Sequence, residues 1–231
     1  MGQTVPVDED VLARAPLFSA LEAEAAAALR ASMTDVNLTR GAVLFSEGQL
    51  GDRLYVVLRG KIKLSVSSND GRESVLVILG PGEMFGELSL FDPGPRNATA
   101  TAISDTVLAG LGHEDLQTWL TGRPEVAAAL LGALARRLRR TNEAMADLVF
   151  SDVPGRVAKA LLDLGEKFGT PQGEAVYVHH DLTQEELAQL VGASRETVNK
   201  ALADFAQRGW LRLEPRSVVL LDVNRLQRRA R

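Results

Sequence analysis

The sequence predicts an α+β chain: an N-terminal antiparallel barrel or roll with flanking helices, then one long helix, then a C-terminal winged helix-turn-helix. Three observations carry this. Short apolar stretches alternate with glycine turns from Asp35 to Leu111, an unbroken helical pattern runs from Pro124 to about Phe150, and two capped helices meet at Gly192. The 231 residues exceed the roughly 100 to 150 that one hydrophobic core uses, so more than one domain is expected. The boundaries read from the sequence are 1–122 for the β-rich part with its N-terminal helices, 123–150 for the long helix and 151–231 for the C-terminal domain.

In chain order, Val11 to Ala15 and Glu22 to Ala31 are Ala-rich and free of breakers, which predicts two short helices. Leu54 to Leu58, Ile62 to Val66, Val75 to Leu79 and Thr106 to Leu111 then read as strands, separated by turns holding Gly60, Gly71 and Gly80. Periodicity does not choose between a barrel and a roll. After Pro124, residues Leu131, Leu134, Leu138, Thr141, Met145 and Leu148 follow alternating spacings of three and four. That is a heptad seam, the pattern of a helix packed against a partner helix. Thr141 places a hydroxyl in this apolar stripe, which costs stability unless a polar ligand or a register-setting contact meets it. Ser151-Asp152-Val153-Pro154 ends the long helix, a second helix is expected from Gly155 to about Phe168, and Thr170-Pro171-Gln172-Gly173 reads as a polar loop.

Thr183-Gln184-Glu185-Glu186 matches a capping box, in which hydroxyl and carboxylate satisfy opposite orphan amides at a helix start. That helix ends near Val191, Gly192 permits a tight turn, and Ser194 caps a helix from Arg195 to Arg208 whose Val198, Leu202 and Phe205 share one face. Small Ala188, turn-forming Gly192 and apolar Val198 stand where two steeply crossing helices need a close approach, a bend and an anchor. This is a helix-turn-helix. Its second helix presents Arg195, Glu196, Asn199 and Lys200 at the turns that enter a major groove, with Thr183 and Ser194 at the two helix starts completing the DNA-contacting set. Arginine donates two bonds to a guanine edge and glutamate accepts from cytosine, so this pair reads bases. Leu211 to Leu213 and Val218 to Leu221 flank Glu214-Pro215-Arg216-Ser217 as the hairpin of a wing.

With 45% apolar and 24% charged residues the chain is expected to be a soluble globular protein, and no apolar run reaches the roughly 20 residues of a membrane span. The absence of cysteine removes disulfides, thiolate metal sites and thiol catalysis. The acidic start, Met1 to Asp10, does not read as a signal peptide, which makes the cytoplasm the expected location. The net charge of −4 hides an asymmetry: residues 1–150 carry 14 basic and 19 acidic side chains, whereas residues 183–231 carry 9 and 6. A polyanion is expected at the C-terminal end.

Gly82-Glu83-Met84-Phe85-Gly86-Glu87-Leu88-Ser89 forms a glycine turn suited to holding an anion, with Arg96 nine residues past Glu87. At three places the chain resembles the cyclic-AMP receptor protein (CRP/FNR) family of bacterial transcription regulators. They are Phe85-Gly86-Glu87-Leu88-Ser89-Leu90-Phe91 with Arg96; Ala135-Arg136-Arg137-Leu138 with Thr141-Asn142; and Gly192-Ala193-Ser194-Arg195-Glu196-Thr197-Val198. The resemblance implies a jelly-roll-like, cyclic-nucleotide-binding β-roll, a dimerisation helix and cyclic AMP as the allosteric effector. It implies that Arg96 neutralises the cyclic phosphate, helped by amides around Gly86, Leu88 and Ser89, and that Glu87 accepts from the ribose 2′-hydroxyl. It also implies that Thr141 and Asn142 of the two subunits meet the adenine edge.

Asn97 departs from the family's usual Ser or Thr, offering an amide where a hydroxyl would donate to the phosphate. Arg137 reads either as part of this network or as an exposed helix arginine. Lys200, where arginine is also found, lacks the fork for two bonds. RNA polymerase is an implied partner, although Gly169 to Glu174 matches no known contact motif.

An enzyme reading finds little support: His179 and His180 would point to opposite faces of a strand, His113 is remote, and no nucleophile with a base is evident. No metal is expected. A relative sensing haem or a redox signal is disfavoured by the missing cysteines and the retained Glu87 and Arg96. A cyclic-nucleotide regulatory subunit without DNA binding is disfavoured by the helix-turn-helix. The expectation is a homodimer that responds to cyclic AMP and binds palindromic double-stranded DNA, the alternative being a family member with little dependence on cyclic AMP or with another small effector.

Overall fold

The computed structural model describes residues 9–92 and 94–231. The acidic start read above as lacking a signal peptide falls almost wholly outside them. The described residues form two compact units, one comprising those up to Val66 with Val77–Leu138, the other Ser67–Leu76 with Arg139–Arg231.

The described chain opens with helices α1 (Glu9–Arg14) and α2 (Ala23–Ala31) and continues through β1 (Thr34–Leu38), β2 (Val43–Phe45), β3 (Arg53–Arg59), β4 (Ile62–Ser67), β5 (Glu73–Leu79) and β6 (Met84–Phe85). A one-turn helix α3 (Leu88–Phe91) leads to β7 (Thr99–Ala102), β8 (Thr106–Gly112), α4 (His113–Gly122) and the long α5 (Pro124–Phe150). The choice between barrel and roll is resolved as a roll of two four-stranded antiparallel sheets, ordered β1-β8-β3-β6 and β2-β7-β4-β5.

Strand alternation explains the layers. Tyr55 and Val57 of β3 join Leu64, Phe85, Ala100 and Leu108 in one core, while Leu54, Val56 and Leu58 of the same strand meet Phe18, Leu29, Leu116 and Leu130 in a second, helix-covered core. Burial on both faces is why β3 reads as an unbroken apolar run. The helix α4 and the short β1, β2, β6 and β7 were not singled out from sequence, because each is too short or too mixed in polarity to show a period.

In the second unit, α6 (Val153–Phe168) is followed by β9 (Gly169–Gln172), β10 (Ala175–His179), α7 (Gln184–Val191), α8 (Arg195–Gln207), β11 (Leu211–Glu214), β12 (Ser217–Leu220) and α9 (Val223–Arg229). Two expectations are corrected here. α6 begins at Val153, not Gly155: Asp152 caps it by accepting from the Gly155 amide at 2.9 Å, and Pro154 sits in the first turn, where its missing N–H costs nothing. The polar loop at Thr170 to Gly173 is instead largely strand, with β9 pairing to β10 from Gly169 opposite Val178 to Gln172 opposite Ala175. β9 pairs with β10 through the backbone, and Pro171 is tolerated on this edge strand, so its mostly exposed side chains carry no strand signal.

The four strands are ordered β11-β12-β10-β9, and α6, α7 and α8 pack with buried Val157, Leu161, Leu187, Val198, Leu202 and Phe205. The capping box at Thr183 is formed in both directions, Ser194 caps α8, and Gly192 takes the left-handed geometry that ends α7, at φ 70°.

Candidate functional site

In the roll, Arg96 is 5% exposed and Glu87 1% exposed, so both charges sit inside the protein. The backbone fixes Arg96: its amide donates to the Gln49 carbonyl at 2.7 Å and its carbonyl accepts from the Gly48 amide at 2.8 Å. Its guanidinium donates to the carbonyls of Gly86 and Arg53, each at 2.8 Å, and to Ser89 Oγ at 3.2 Å, and it lies 4.2 Å from the centre of the Phe45 ring. Burial lowers the Arg96 pKa from its usual value, with Tyr55, Asp52 and Glu87 opposing that shift. Burial raises the pKa of Tyr55, against the pull of Arg96. The Nε of Arg96 is buried without a partner.

Glu87 accepts from Arg137 of α5 at 2.8 Å through Oε1, while its buried Oε2 has no partner. The reading of Arg137 as an ordinary exposed helix arginine is therefore corrected: it is 37% exposed and ion-paired to a buried carboxylate. Its one-turn offset from Thr141 was the available sequence signal.

Gly86, Leu88, Ser89, Asn97 and Arg137 line one small pocket with Arg96 and Phe45, and the space between them is only about 20 Å³. Two contributors escaped sequence reading. A Cβ at Gly51 would lie 2.4 Å from Ser89 Oγ and 2.6 Å from Arg96 Nε, so the chain approaches the guanidinium as only glycine permits. Phe45 shows as a core aromatic, and nothing in its spacing marks it as the platform for Arg96.

Thr141 and Asn142 follow Arg137 on α5 with exposed side chains. Along the same helix Leu131, Leu138, Met145 and Leu148 are 57% to 67% exposed, and Leu134 is half-buried. Most of the predicted seam thus stands in solvent in a single chain.

In the second unit Arg195, Glu196 and Lys200 project from the start of α8 and are exposed. Lys200 lies 3.0 Å from Glu196 in a fully solvated pair that competes little with an incoming duplex. Asn199 differs from these: it is half-buried, its Nδ2 donates to Gln184 Oε1 at 3.3 Å, and its Oδ1 is buried without a partner, so it ties α8 to α7. Thr183 and Ser194 spend their hydroxyls on the caps of their own helices.

Of the two adjacent histidines, His180 is buried and accepts from the Leu182 amide, while the half-exposed His179 lies 2.8 Å from Ser217 Oγ and 3.1 Å from Asp181. Sequence spacing gives no sign of this contact between Ser217 and His179. Ser217 is 3% exposed, between β10 and β11, and already receives the Tyr177 hydroxyl at 3.0 Å, so it is not presented to a substrate. Among the described residues no helix is long and apolar enough to cross a membrane.

Residues 35–122 match the family described as cyclic nucleotide-binding domain, and residues 155–229 match the Crp-like helix-turn-helix domain. A CRP-like cAMP-activated global transcriptional regulator of Mycobacterium tuberculosis is 56% identical over 223 residues, 96% of this chain and 100% of that protein. The crystal structure of the Thermus thermophilus catabolite activator protein is similar with a TM-score of 0.55 and 37% identity, covering 94% of this chain and 98% of that one. The c-di-GMP responsive global regulator CLP of Xanthomonas campestris gives a TM-score of 0.75 at 27% identity, covering 86% and 99%.

Proposed function

The chain belongs to the CRP/FNR family of DNA-binding transcription regulators, and from that premise we propose that its effector is cyclic AMP and that it acts as a homodimer on palindromic DNA. One observation carries the ligand reading. Arg96 Nε and Glu87 Oε2 are a donor and an acceptor, both buried and both without partners, on residues whose charges act on each other, and Arg96 lines the small pocket with Gly86, Leu88 and Ser89. Buried polar atoms left in this way cost free energy unless a ligand meets them. A cyclic phosphate supplies the acceptor for the guanidinium and a ribose hydroxyl supplies the donor for the carboxylate.

The bases of the duplex are read by Arg195 and Glu196, with Lys200 contacting a base edge or a phosphate. The dimer forms through Leu131, Leu134, Leu138, Met145 and Leu148, with Thr141 and Asn142 placed at the purine edge. Ligand acts by favouring the arrangement in which the two reading helices stand about one DNA turn, roughly 34 Å, apart. RNA polymerase is the partner of the DNA-bound form, the cytoplasm its location, and no catalytic step is assigned.

A second reading, in which another small effector is the natural one, is favoured by Asn97 in place of a hydroxyl. Calorimetric titration with cyclic AMP, cyclic GMP and cyclic di-GMP side by side decides between them. Tightest binding of cyclic AMP supports the first reading, and tighter binding of either other nucleotide overturns it.

A further inference from the structure

Among the described residues two non-glycines occupy left-handed backbone, Asp181 at φ 64° and Arg216 at φ 57°, and they are bonded to each other. The Asp181 amide donates to the Arg216 carbonyl at 3.1 Å. Such geometry is unfavourable for a side chain with a Cβ and persists only where surrounding contacts over-determine it. Asp181 lies two residues before Thr183, the cap of α7, and Arg216 forms the turn of the wing between β11 and β12. The strained pair thus joins the wing to the entrance of the helix-turn-helix.

A chain of four side chains supplies the over-determination. The Tyr177 hydroxyl donates to Ser217 Oγ at 3.0 Å, Ser217 Oγ lies 2.8 Å from His179 Nδ1, and His179 Nε2 lies 3.1 Å from Asp181 Oδ1. One proton order satisfies every link with a neutral imidazole: Tyr177 to Ser217, Ser217 to Nδ1, and Nε2–H to the Asp181 carboxylate. Ser217 and Asp181 are 3% and 5% exposed, so water does not compete for these two members of the chain. A cleft of about 220 Å³ lies between the wing and the start of α7, with Arg216 on one side and Thr183 and Gln184 on the other. Its width is set by where the wing is held.

We propose that Tyr177, Ser217, His179 and Asp181 form a latch that positions the wing against the reading unit, holding the exposed Arg216 where it meets a backbone phosphate of the duplex bound by α8. The latch residues touch no DNA and act through Arg216. This rests on α8 lying in the major groove. Failure of that placement shows separately, as an Arg195→Ala variant with unchanged base preference.

The test is fluorescence anisotropy of the full chain on a duplex carrying its selected site, over a series of salt concentrations. Arg216→Ala is expected to weaken binding about tenfold and to reduce the slope of log affinity against log salt by about 0.9 per wing, leaving base preference intact. His179→Ala is expected to weaken binding about threefold or more with the same sign of slope change, and to add nothing in the Arg216→Ala background. Full affinity in folded His179→Ala, or a loss that adds independently to that of Arg216→Ala, overturns the latch. Should His179→Ala fail to fold, Asp181→Asn and Tyr177→Phe carry the same comparison: asparagine tolerates the left-handed backbone and phenylalanine keeps the ring. Wild-type affinity and slope in both overturns the proposal.

Discussion

Arg96 is held from three sides by carbonyls and a hydroxyl of its own chain, and a charge-assisted bond to a phosphate is worth roughly 1.5 to 3 kcal/mol net. Arg96→Ala should therefore weaken cyclic AMP binding at least about tenfold, as calorimetry on the folded variant would read. Unchanged affinity would remove Arg96 from the phosphate site. Arg96 and Glu87 were legible through the family resemblance of Phe85 to Phe91 with Arg96, since a charged residue near a glycine turn is by itself a weak signal. Gly51 and Phe45 were not, since a glycine that yields space and an aromatic that offers a face look like any turn and any core residue. At the reading helix, Arg195→Ala should cost about 1 to 3 kcal/mol at a cognate site and relax base preference at one position, which a binding selection would show.

Elements were legible where side-chain chemistry punctuates them. The capping box at Thr183, the left-handed Gly192 and the Ser194 cap were all readable, and all formed as expected. β9 was not, because an edge strand of Gly-Thr-Pro-Gln pairs through its backbone, and the start of α6 was hidden because Pro154, a residue that commonly ends a helix, here stands in the first turn of one. The cap of that helix gives a test. Hydrogen bonds from Arg229, at 2.5 Å, and from the Gly155 amide hold the Asp152 carboxyl below its usual range. A carboxyl so lowered contributes stability above the ordinary carboxylate range and loses it as pH falls through the lowered value. Asp152→Asn keeps a capping acceptor but loses the charge, so the gap in Tm between wild type and variant should close on acidification. Asp152→Ala should cost about 1 kcal/mol by loss of the cap. On α5, Leu138→Glu would set two like carboxylates across the seam, and light scattering at micromolar concentration should show a severely weakened dimer.

For the whole molecule, ligand and DNA must affect each other's affinity by the same factor. Arg96→Ala should leave ligand-free DNA affinity nearly unaltered while raising the cyclic AMP needed for stimulation, and anisotropy on a palindromic duplex with and without nucleotide would measure both. Reduced nucleotide affinity with an unaltered DNA response would break that linkage. The sequence predicts a β-rich part, a long helix and a helix-turn-helix because each has its own periodicity, and only the family resemblance implies that the first of them senses a ligand. The division by contacts was hidden from it: the compact units part between Leu138 and Arg139, inside a helix whose sequence pattern does not change there. If two chains pair through the apolar stripe of α5 as proposed, abundance also becomes an input. Below the dissociation range, halving the number of chains leaves about a quarter of the pairs, so growth without resynthesis would empty promoters faster than it thins the protein, and Tm should climb as the sample is concentrated.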